Sequence, residues 1–148
     1  MLLASKTRIF RCRSGQSLPS KPVGQVTTTS PKGRDPSLAG YPMRVAELLS
    51  TLRTPAYVVR SAVHTPQLMV LTKQVLRRAF ELQAAARCFT FVEILSTCPT
   101  NWGMSPVKAL SWLQENMMPY YPIGVFKDPD LAETTAGLVP TPRKTLER

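Results

Sequence analysis

Cys98 is the residue whose type and setting best fit a chemical role. It lies in the loop Ser96–Met104, directly before Pro99, and the same loop carries Asn101, Trp102 and Gly103. A single cysteine taken by itself is more often an unligated thiol than a ligand or nucleophile. We therefore ask which elements hold this thiol, and where on a fold they place it.

The elements before and after the Cys98 loop predict where Cys98 lies in the fold. The run Cys88–Leu95 is rich in β-branched, aromatic and aliphatic residues and too short for a typical helix, which predicts a strand. Its apolar residues fall at both parities, as in a parallel sheet that is covered on both faces. Ser105 and Pro106 then form an N-cap followed by proline at the first helical position. Strand, loop and helix make half of a βαβ unit, in which ligands bind at the carboxyl ends of the strands.

The predicted helix after Ser105 has its apolar residues at helical spacing, and we expect Val107, Leu110, Leu113 and Met117 to face the core. The fold class is therefore α/β, a parallel sheet with flanking helices. After Asn116, the segment Pro119–Asp128 contains two prolines and a glycine, which predicts an irregular, aromatic-rich arm.

The preceding part of the chain adds three predicted elements. Pro42–Leu52 reads as a short helix, and Tyr57–Arg60 reads as a short strand. Thr65 and Pro66 open the longest helix, which extends to about Ala86. Apolar residues at helical spacing predict the buried sides of the two helices: Val45, Leu48, Leu49 and Leu52 in the first, and Leu71, Val75, Ala79, Leu82 and Ala86 in the second.

Two further titratable residues fall in or next to these elements. Glu93 lies in an otherwise apolar strand, so we expect it near the strand end, paired with a base or a backbone donor. A general-base role for Glu93 is the alternative. His64 is the only histidine, stands before a proline-capped helix, and reads as a polar loop residue without a role.

Two blocks of the sequence resemble a known family. The block from Phe89 to Asp128 contains FVEILSTCPTNWGMSPVKAL and ENMMPYYPIGVFKD, and the block from Gly24 to Leu52 contains TTTSPKGRD. Together they resemble the C-terminal part of the β subunit of 2-oxoacid:ferredoxin oxidoreductases of the 2-oxoglutarate and branched-chain types. The resemblance covers about Ser14 to Asp128. It implies the C-terminal half of a thiamine-diphosphate-binding fold, over residues 14–128.

The resemblance also implies cofactor positions. In the family a loop of the type GGQ-M-x-P-T-x-x-x-GQ runs past the diphosphate of thiamine diphosphate, next to Mg²⁺, and Gly15 and Gln16 match it. A glycine-rich turn lets backbone N–H groups approach phosphate oxygens, although a plain surface loop is the alternative interpretation. The cysteine of the family's S-x-C-P-T loop, here Cys98, is the fourth ligand of a [4Fe–4S] cluster.

The reaction implied is oxidative decarboxylation of a 2-oxoacid with coenzyme A, which gives acyl-CoA, CO₂ and reduced ferredoxin. The implied partners are the α subunit, with γ and δ subunits in some relatives, and ferredoxin. The family's GDG…N motif and its other three cluster cysteines are not found in this sequence. We therefore expect the chain by itself to be inactive and unable to hold these cofactors, as a fragment or as one half of a split subunit.

Charge suggests a second class of function. The net charge is +10, and residues 1–34 hold seven Lys/Arg and no acid. A basic chain is typical of proteins with anionic partners, but no nucleic-acid-reading motif is found, so a nucleic-acid-binding protein is the weaker alternative. A non-catalytic module that keeps the family's subunit-docking surface is a third hypothesis.

The two ends of the sequence and its cysteines predict local order and compartment. We expect residues 1–13 to be a basic, disordered leader, with a transit peptide as the alternative, and residues 129–148 to be a loose tail. Three cysteines without CxxC spacing fit a reducing compartment. No apolar run reaches the length of a membrane span. These features predict a cytoplasmic protein.

Overall fold

The computed structural model describes residues 8–10, 22–28, 30–54 and 56–131. Its strands and helices, in chain order, are β1 (Arg8–Phe10), α1 (Pro36–Ala39), α2 (Val45–Ser50), β2 (Ala56–Ala62), α3 (Pro66–Ala84), β3 (Phe89–Leu95), α4 (Pro99–Trp102), α5 (Pro106–Trp112), a π-helical turn (Leu113–Met117) and β4 (Gly124–Lys127).

The four strands form one sheet in the order β1-β3-β2-β4. β3 pairs in parallel with both β1 and β2, so β2, α3 and β3 form a βαβ unit. The prediction of an α/β fold with parallel strands and flanking helices is confirmed for these elements. The sheet is mixed rather than parallel throughout, because β4 runs antiparallel to β2.

β4 corrects the prediction of an irregular arm over Pro119–Asp128. The prolines of that segment, Pro119 and Pro122, precede the strand, and Gly124–Lys127 contains none. Its backbone donors are therefore free to pair with the edge of β2. The aromatic part of the arm does pack on the domain, since Tyr121 is fully buried.

Parts of both chain ends belong to the described residues. Arg8–Phe10 pair in parallel with β3, with Arg8 opposite Phe91. Beyond β4, Asp128 and Asp130 accept hydrogen bonds from Arg78 at 2.9 and 2.7 Å, which fastens the beginning of the predicted tail to α3. Residues 1–7, 11–21 and 132–148 lie outside the described residues.

The two central strands are covered on both faces. α3 packs on the face that carries Tyr57, Val59 and Val92. The opposite face carries two clusters, one around Val58 and Phe91 against α2, the other around Ala62 and Leu95 against α4, α5 and the π-helical turn. β2 is buried along its whole length, which explains why both parities of its sequence are free of exposed polar residues.

α3 begins and ends close to its predicted limits. Thr65 caps it by accepting a hydrogen bond from the Leu68 N–H, and Pro66 occupies the first turn. Its buried residues are Thr72, Val75, Ala79 and Leu82. Leu71 is 44% exposed, so its predicted burial is wrong. Thr72 is buried instead, and its hydroxyl lies 2.6 Å from the Ser61 hydroxyl of β2. Ala86 lies beyond the helix at φ 51°, so the prediction that it is buried is also wrong.

The helix after Ser105 has a different buried side from the one predicted. Ala109, Leu113 and Met117 are buried, whereas Val107 is 75% and Leu110 37% exposed. The buried residues recur at four-residue intervals, a stripe that includes Ala109 and leaves Val107 and Leu110 to one side. The π-helical turn lies beyond them, where the Met118 N–H donates to the Leu113 carbonyl at 3.1 Å.

α2 is shorter than the helix predicted over Pro42–Leu52. It packs through Ala46, with Leu49 half-buried, while Leu48 is 56% and Leu52 47% exposed. The prediction that Leu48 and Leu52 face the core is therefore wrong. The helix ends at Ser50, so Leu52 is no longer in phase with the buried side.

Candidate functional site

The carboxyl ends of β2 and β3 lie side by side at one edge of the sheet. Ala62 pairs with Leu95, and the Val63 N–H donates to the Leu95 carbonyl at 3.2 Å. The chain then leaves β2 towards α3 on one face and leaves β3 towards α4 on the other. In open α/β sheets this is the arrangement that leaves a crevice for ligands above the strand ends. We call this region the carboxyl edge.

Cys98 lies at the carboxyl edge, as predicted, three positions after the last residue of β3. It is the N-cap of α4, with Pro99 at the first helical position, and its carbonyl accepts from the Trp102 N–H at 3.0 Å. Gly103 ends the short helix in the left-handed region at φ 63°. The loop predicted over Ser96–Met104 therefore contains one helical turn. Its effect is to fix the half-buried, free thiol at a defined point of the edge.

A cluster of large side chains supports the Cys98 loop. Trp102 is 8% exposed, and its ring lies 5.0 Å from that of Trp112. Cys98 itself packs against the cluster that contains Leu95, Trp102 and Leu113. The Cys98 loop is therefore packed against a buried cluster on its inner side.

The second segment of the resemblance meets the first at this loop. The Thr28 N–H donates to the Asn101 carbonyl at 3.0 Å, and the Thr28 hydroxyl donates to the Asn101 side-chain oxygen. The segment is itself closed tightly, since a Cβ on Gly33 would lie 2.9 Å from the Gly24 carbonyl oxygen. Two stretches that are 73 residues apart in sequence are thereby joined beside Cys98.

Of the three residues implied to contact a cofactor, Cys98 lies within the described part of the chain. Gly15 and Gln16, predicted to lie near the thiamine diphosphate, lie outside the described residues. Within the described ranges no group of three or more His, Cys, Asp or Glu side chains is placed to hold a metal ion. A [4Fe–4S] cluster takes four ligands, in the family thiolates. Cys98 thus fits one ligand position, and the described residues do not form a full set.

A buried ionic network, which sequence reasoning did not find, lies beneath the carboxyl edge. The Arg60 side chain is fully buried and donates from Nε to Glu93 Oε2 at 2.8 Å, and from Nη2 to Glu47 Oε2 at 2.5 Å. A further bond runs from Nη1 to the Pro122 carbonyl at 3.3 Å. The guanidinium also lies 5.1 Å from the ring centroid of Tyr121. The network connects α2, β2, β3 and the segment that leads to β4.

The network shifts the pKa of Glu47 and the pKa of Arg60 in the directions that keep both groups charged. Burial acts to raise the pKa of Glu47, but the hydrogen bond and charge of Arg60 outweigh it and hold that pKa below its usual value. Burial likewise acts to lower the pKa of Arg60, and the two carboxylates raise it above its usual value.

The prediction that Glu93 pairs with a base is confirmed. The prediction that Glu93 lies near the strand end is wrong, because Glu93 is the fifth of seven residues in β3.

Two more groups at this end of the sheet have buried polar atoms without a hydrogen-bond partner among the described residues: His64 Nδ1 and the Tyr121 hydroxyl. His64 lies in the turn between β2 and α3, on the carboxyl edge. Tyr121 is fully buried and contacts the Tyr120 ring edge-on at 4.8 Å. Burial, then the neighbouring Tyr120 and Glu93, raise the pKa of Tyr121 well above its usual value.

The Tyr121 hydroxyl provides a first testable prediction. We expect Tyr121→Phe to leave stability at pH 7 unchanged or raised by up to about 1 kcal/mol, because it removes a buried group that has no described partner. In the unfolded chain a tyrosine ionises near pH 10, before the folded Tyr121 does, so the wild type loses stability as pH rises above about 10. The variant should lose less, by up to about 1.4 kcal/mol per pH unit. Urea unfolding of the wild type and the variant at pH 7 and above about pH 10 measures the free energies of unfolding. An identical pH dependence in the two proteins would contradict the prediction.

Known proteins with similar sequences are subunits of oxidoreductases that act on 2-oxoacids. Subunit VorA of ketoisovalerate oxidoreductase, from Methanothermobacter thermautotrophicus and from Methanothermobacter marburgensis, is 37% identical over 120 residues, which cover 81% of this chain and 25% of VorA. Subunit KorB of 2-oxoglutarate synthase from Methanothermobacter marburgensis is 32% identical over 114 residues, or 73% of this chain and 35% of KorB. No family model and no solved structure matches the chain.

These similarities support the resemblance to subunits of 2-oxoacid oxidoreductases, since ketoisovalerate and 2-oxoglutarate are both 2-oxoacids. They do not distinguish one kind of subunit from another. The chain spans about a quarter of the length of VorA and about a third of KorB. Within the described residues, no helix has both the length and the apolarity required to cross a bilayer.

Proposed function

We propose that this chain forms the C-terminal part of the thiamine-diphosphate-binding β subunit of a 2-oxoacid:ferredoxin oxidoreductase. In that complex, oxidative decarboxylation of a 2-oxoacid with coenzyme A yields acyl-CoA and reduced ferredoxin. The remaining part of the subunit, the α subunit and any further subunits are its partners, and its compartment is the cytoplasm. Cys98 supplies one thiolate to a [4Fe–4S] cluster, and Gly15 and Gln16 lie near the diphosphate of the thiamine cofactor.

The observation that carries the proposal is the contact between Thr28 and Asn101. The two segments with the resemblance meet there by a backbone and a side-chain hydrogen bond. Cys98 precedes Asn101 by three positions in the same helical turn. A shared site is what a common cofactor function requires, and a resemblance scattered over the surface would not give it.

In this function, the residues around the Cys98 loop hold the thiol in place and shield it from water. The cluster would supply single-electron transfer when bound, and the thiamine cofactor would supply decarboxylation chemistry. The Trp102 N–H donates to the Cys98 carbonyl and the Met104 N–H donates to the Pro99 carbonyl, and together these bonds orient the Cys98 loop. The Trp102 and Leu113 cluster excludes water from the inner side of the loop, which lowers the local dielectric around the thiol.

A chimaera tests the proposal. The matched 120-residue part of Methanothermobacter marburgensis VorA is replaced by this chain, and the protein is co-produced with the other subunits of that enzyme and reconstituted anaerobically with iron and sulfide. We expect ketoisovalerate-dependent reduction of ferredoxin and a [4Fe–4S] absorbance and electron paramagnetic resonance signal. Cys98→Ser should lower cluster content and turnover by about tenfold or more, because one of four ligands is lost.

Cys88→Ser is the matched control. Cys88 is buried in the α3 cluster, away from the carboxyl edge, and is the other described cysteine. We expect it to keep cluster content and turnover near the level of the chimaera. A folded Cys98→Ser chimaera with full cluster content would refute the ligand role. A folded, assembled chimaera without turnover would refute the subunit assignment.

A further inference from the structure

Arg60 contacts both the strand that leads into the Cys98 loop and the segment that supports the loop from within. Its Nε donates to Glu93 Oε2 at 2.8 Å, two residues before the end of β3. Its Nη1 donates to the Pro122 carbonyl at 3.3 Å, and the guanidinium lies 5.1 Å from the Tyr121 ring centroid. One fully buried side chain therefore holds both segments against β2.

The segment at Tyr121 is joined directly to the helix that packs on the loop. The Tyr121 N–H donates to the Met117 carbonyl at 2.8 Å, so the segment continues from the end of the π-helical turn. Tyr121 and Met117 are buried in the cluster that also contains Trp102. Cys98 packs against the same cluster. A displacement of Tyr121 would therefore reach the inner side of the Cys98 loop through closely packed side chains.

β3 provides the second connection between Arg60 and the loop. The last residue of β3, Leu95, belongs to the buried cluster, and Cys98 follows three positions later. In the parallel register of β2 and β3, Arg60 lies opposite Glu93. The ion pair thus holds β3 close to the point at which the chain leaves the sheet and enters the loop.

Stability alone does not account for a charge pair in this position. Apolar side chains of similar volume generally stabilise a core as well as a buried ion pair does, or better. They do not supply direction, whereas a guanidinium presents its N–H donors in a rigid planar fork. Here the fork bonds to Glu93, Glu47 and the Pro122 carbonyl at the same time. Such a set of bonds fixes the elements that carry the acceptors relative to one another.

We propose that Arg60 is a positioning residue for Cys98, and that it acts by holding β3 and the segment with Tyr121 and Pro122 in place around the Cys98 loop. The task of the positioned thiol, ligation of an iron–sulfur cluster, rests on the proposed function. The positioning itself rests on the contacts of Arg60. Loss of these contacts allows the loop to open locally, and the half-buried thiol then meets solvent more often.

The reactivity of the Cys98 thiol in the full chain tests this role without any cofactor. Alkylation by iodoacetamide is followed over time, and mass spectrometry of the peptides assigns the modification to Cys98. Arg60→Met/Glu93→Leu is the informative variant, because it removes the ion pair and the bond to Pro122 but is expected to keep most of the stability. We expect its Cys98 to be alkylated about fivefold faster or more than in the wild type.

A comparison at equal stability separates local opening from global unfolding. The rate of each variant is compared with that of the wild type in the urea concentration that gives the wild type the same free energy of unfolding. If the double variant does not fold, Arg60→Lys is measured in the same way, because lysine keeps the charge but not the planar fork. We expect Cys98 of Arg60→Lys, too, to react faster than in the stability-matched wild type.

Two substitutions serve as matched controls. Arg78→Ala removes the ion pairs on the flank of α3, which do not involve the loop. Glu47→Gln removes a charged partner of Arg60 on α2 and leaves the contacts of Arg60 with β3 and Pro122. Both should keep the alkylation rate of Cys98 within about twofold of the stability-matched wild type.

The results that would overturn the positioning role are distinct from those that would refute the proposed function. A folded Arg60 variant whose Cys98 reacts no faster than in the stability-matched wild type would show that Arg60 only stabilises the fold. Equal acceleration by Arg78→Ala would show the same. Since the assay involves neither cofactor nor turnover, a Cys98→Ser chimaera with full cluster content would refute the ligand role and leave the positioning of the loop by Arg60 unaffected.

Discussion

Arg60→Ala is expected to destabilise the chain by about 3–5 kcal/mol, the largest loss for any single charged residue of the described part. Arg60 is fully buried, and its removal leaves Glu93, with a side chain only 9% exposed, without its cation. The Pro122 carbonyl and the Tyr121 ring lose a partner at the same time. Glu47, at 29% side-chain exposure, reaches solvent more easily and contributes less to the loss.

Two comparisons separate the buried charge from the loss of side-chain volume. Arg78→Ala removes an arginine whose side chain is 40% exposed in its ion pairs, and should cost about 1 kcal/mol or less. Arg60→Met/Glu93→Leu removes both buried charges and keeps the volume, so it should recover most of the stability lost in Arg60→Ala. Urea unfolding of the full chain gives all three values. If Arg60→Ala cost no more than Arg78→Ala, the network would not hold the elements together as the geometry indicates.

The same network shows why part of the fold could be predicted and part could not. The strand and the capped helix around Cys98 have local signals: a β-branched run, a proline after the thiol, and a Ser-Pro cap. Arg60 meets Glu47 across 13 positions and Glu93 across 33, and no local pattern encodes either pairing. The partners meet because β2 and β3 place Arg60 beside Glu93 in the parallel register. Sequence reasoning predicted that Glu93 pairs with a basic residue or a backbone donor. It did not predict that the partner is Arg60 or that the ion pair is buried.

The candidate site divides in the same way. The position of Cys98 at a strand's carboxyl end follows from the order of elements, because a parallel strand followed by a loop and a helix allows few alternatives. The contact of Thr28 with Asn101 spans 73 positions and depends on how the loop 22–34 closes. That closure relies on the approach of Gly33 to Gly24, which a turn-rich sequence permits but does not specify.

Helix phase is the clearest case in which periodicity fails, and it gives the second large prediction. Periodicity places Leu110 and Leu113 on the same buried side, but Leu113 is 0% and Leu110 37% exposed. Leu113→Ala should therefore destabilise the chain by about 3–4 kcal/mol, since it opens a cavity between Leu95, Trp102 and Met117. Leu110→Ala, the same chemical change three positions earlier, should cost about 1 kcal/mol or less, because its side chain is already partly in solvent.

The difference between the two leucines tests which side of the helix packs on the core. Residues three positions apart lie about 60° apart around a helix axis. Leu113 therefore falls on the buried side with Ala109 and Met117, and Leu110 falls at its margin. Urea unfolding of the two variants measures the difference. A gap of less than about 1 kcal/mol between them would mean that the two leucines are buried to similar degrees, and that Trp102 and the Cys98 loop pack against a different side of the helix.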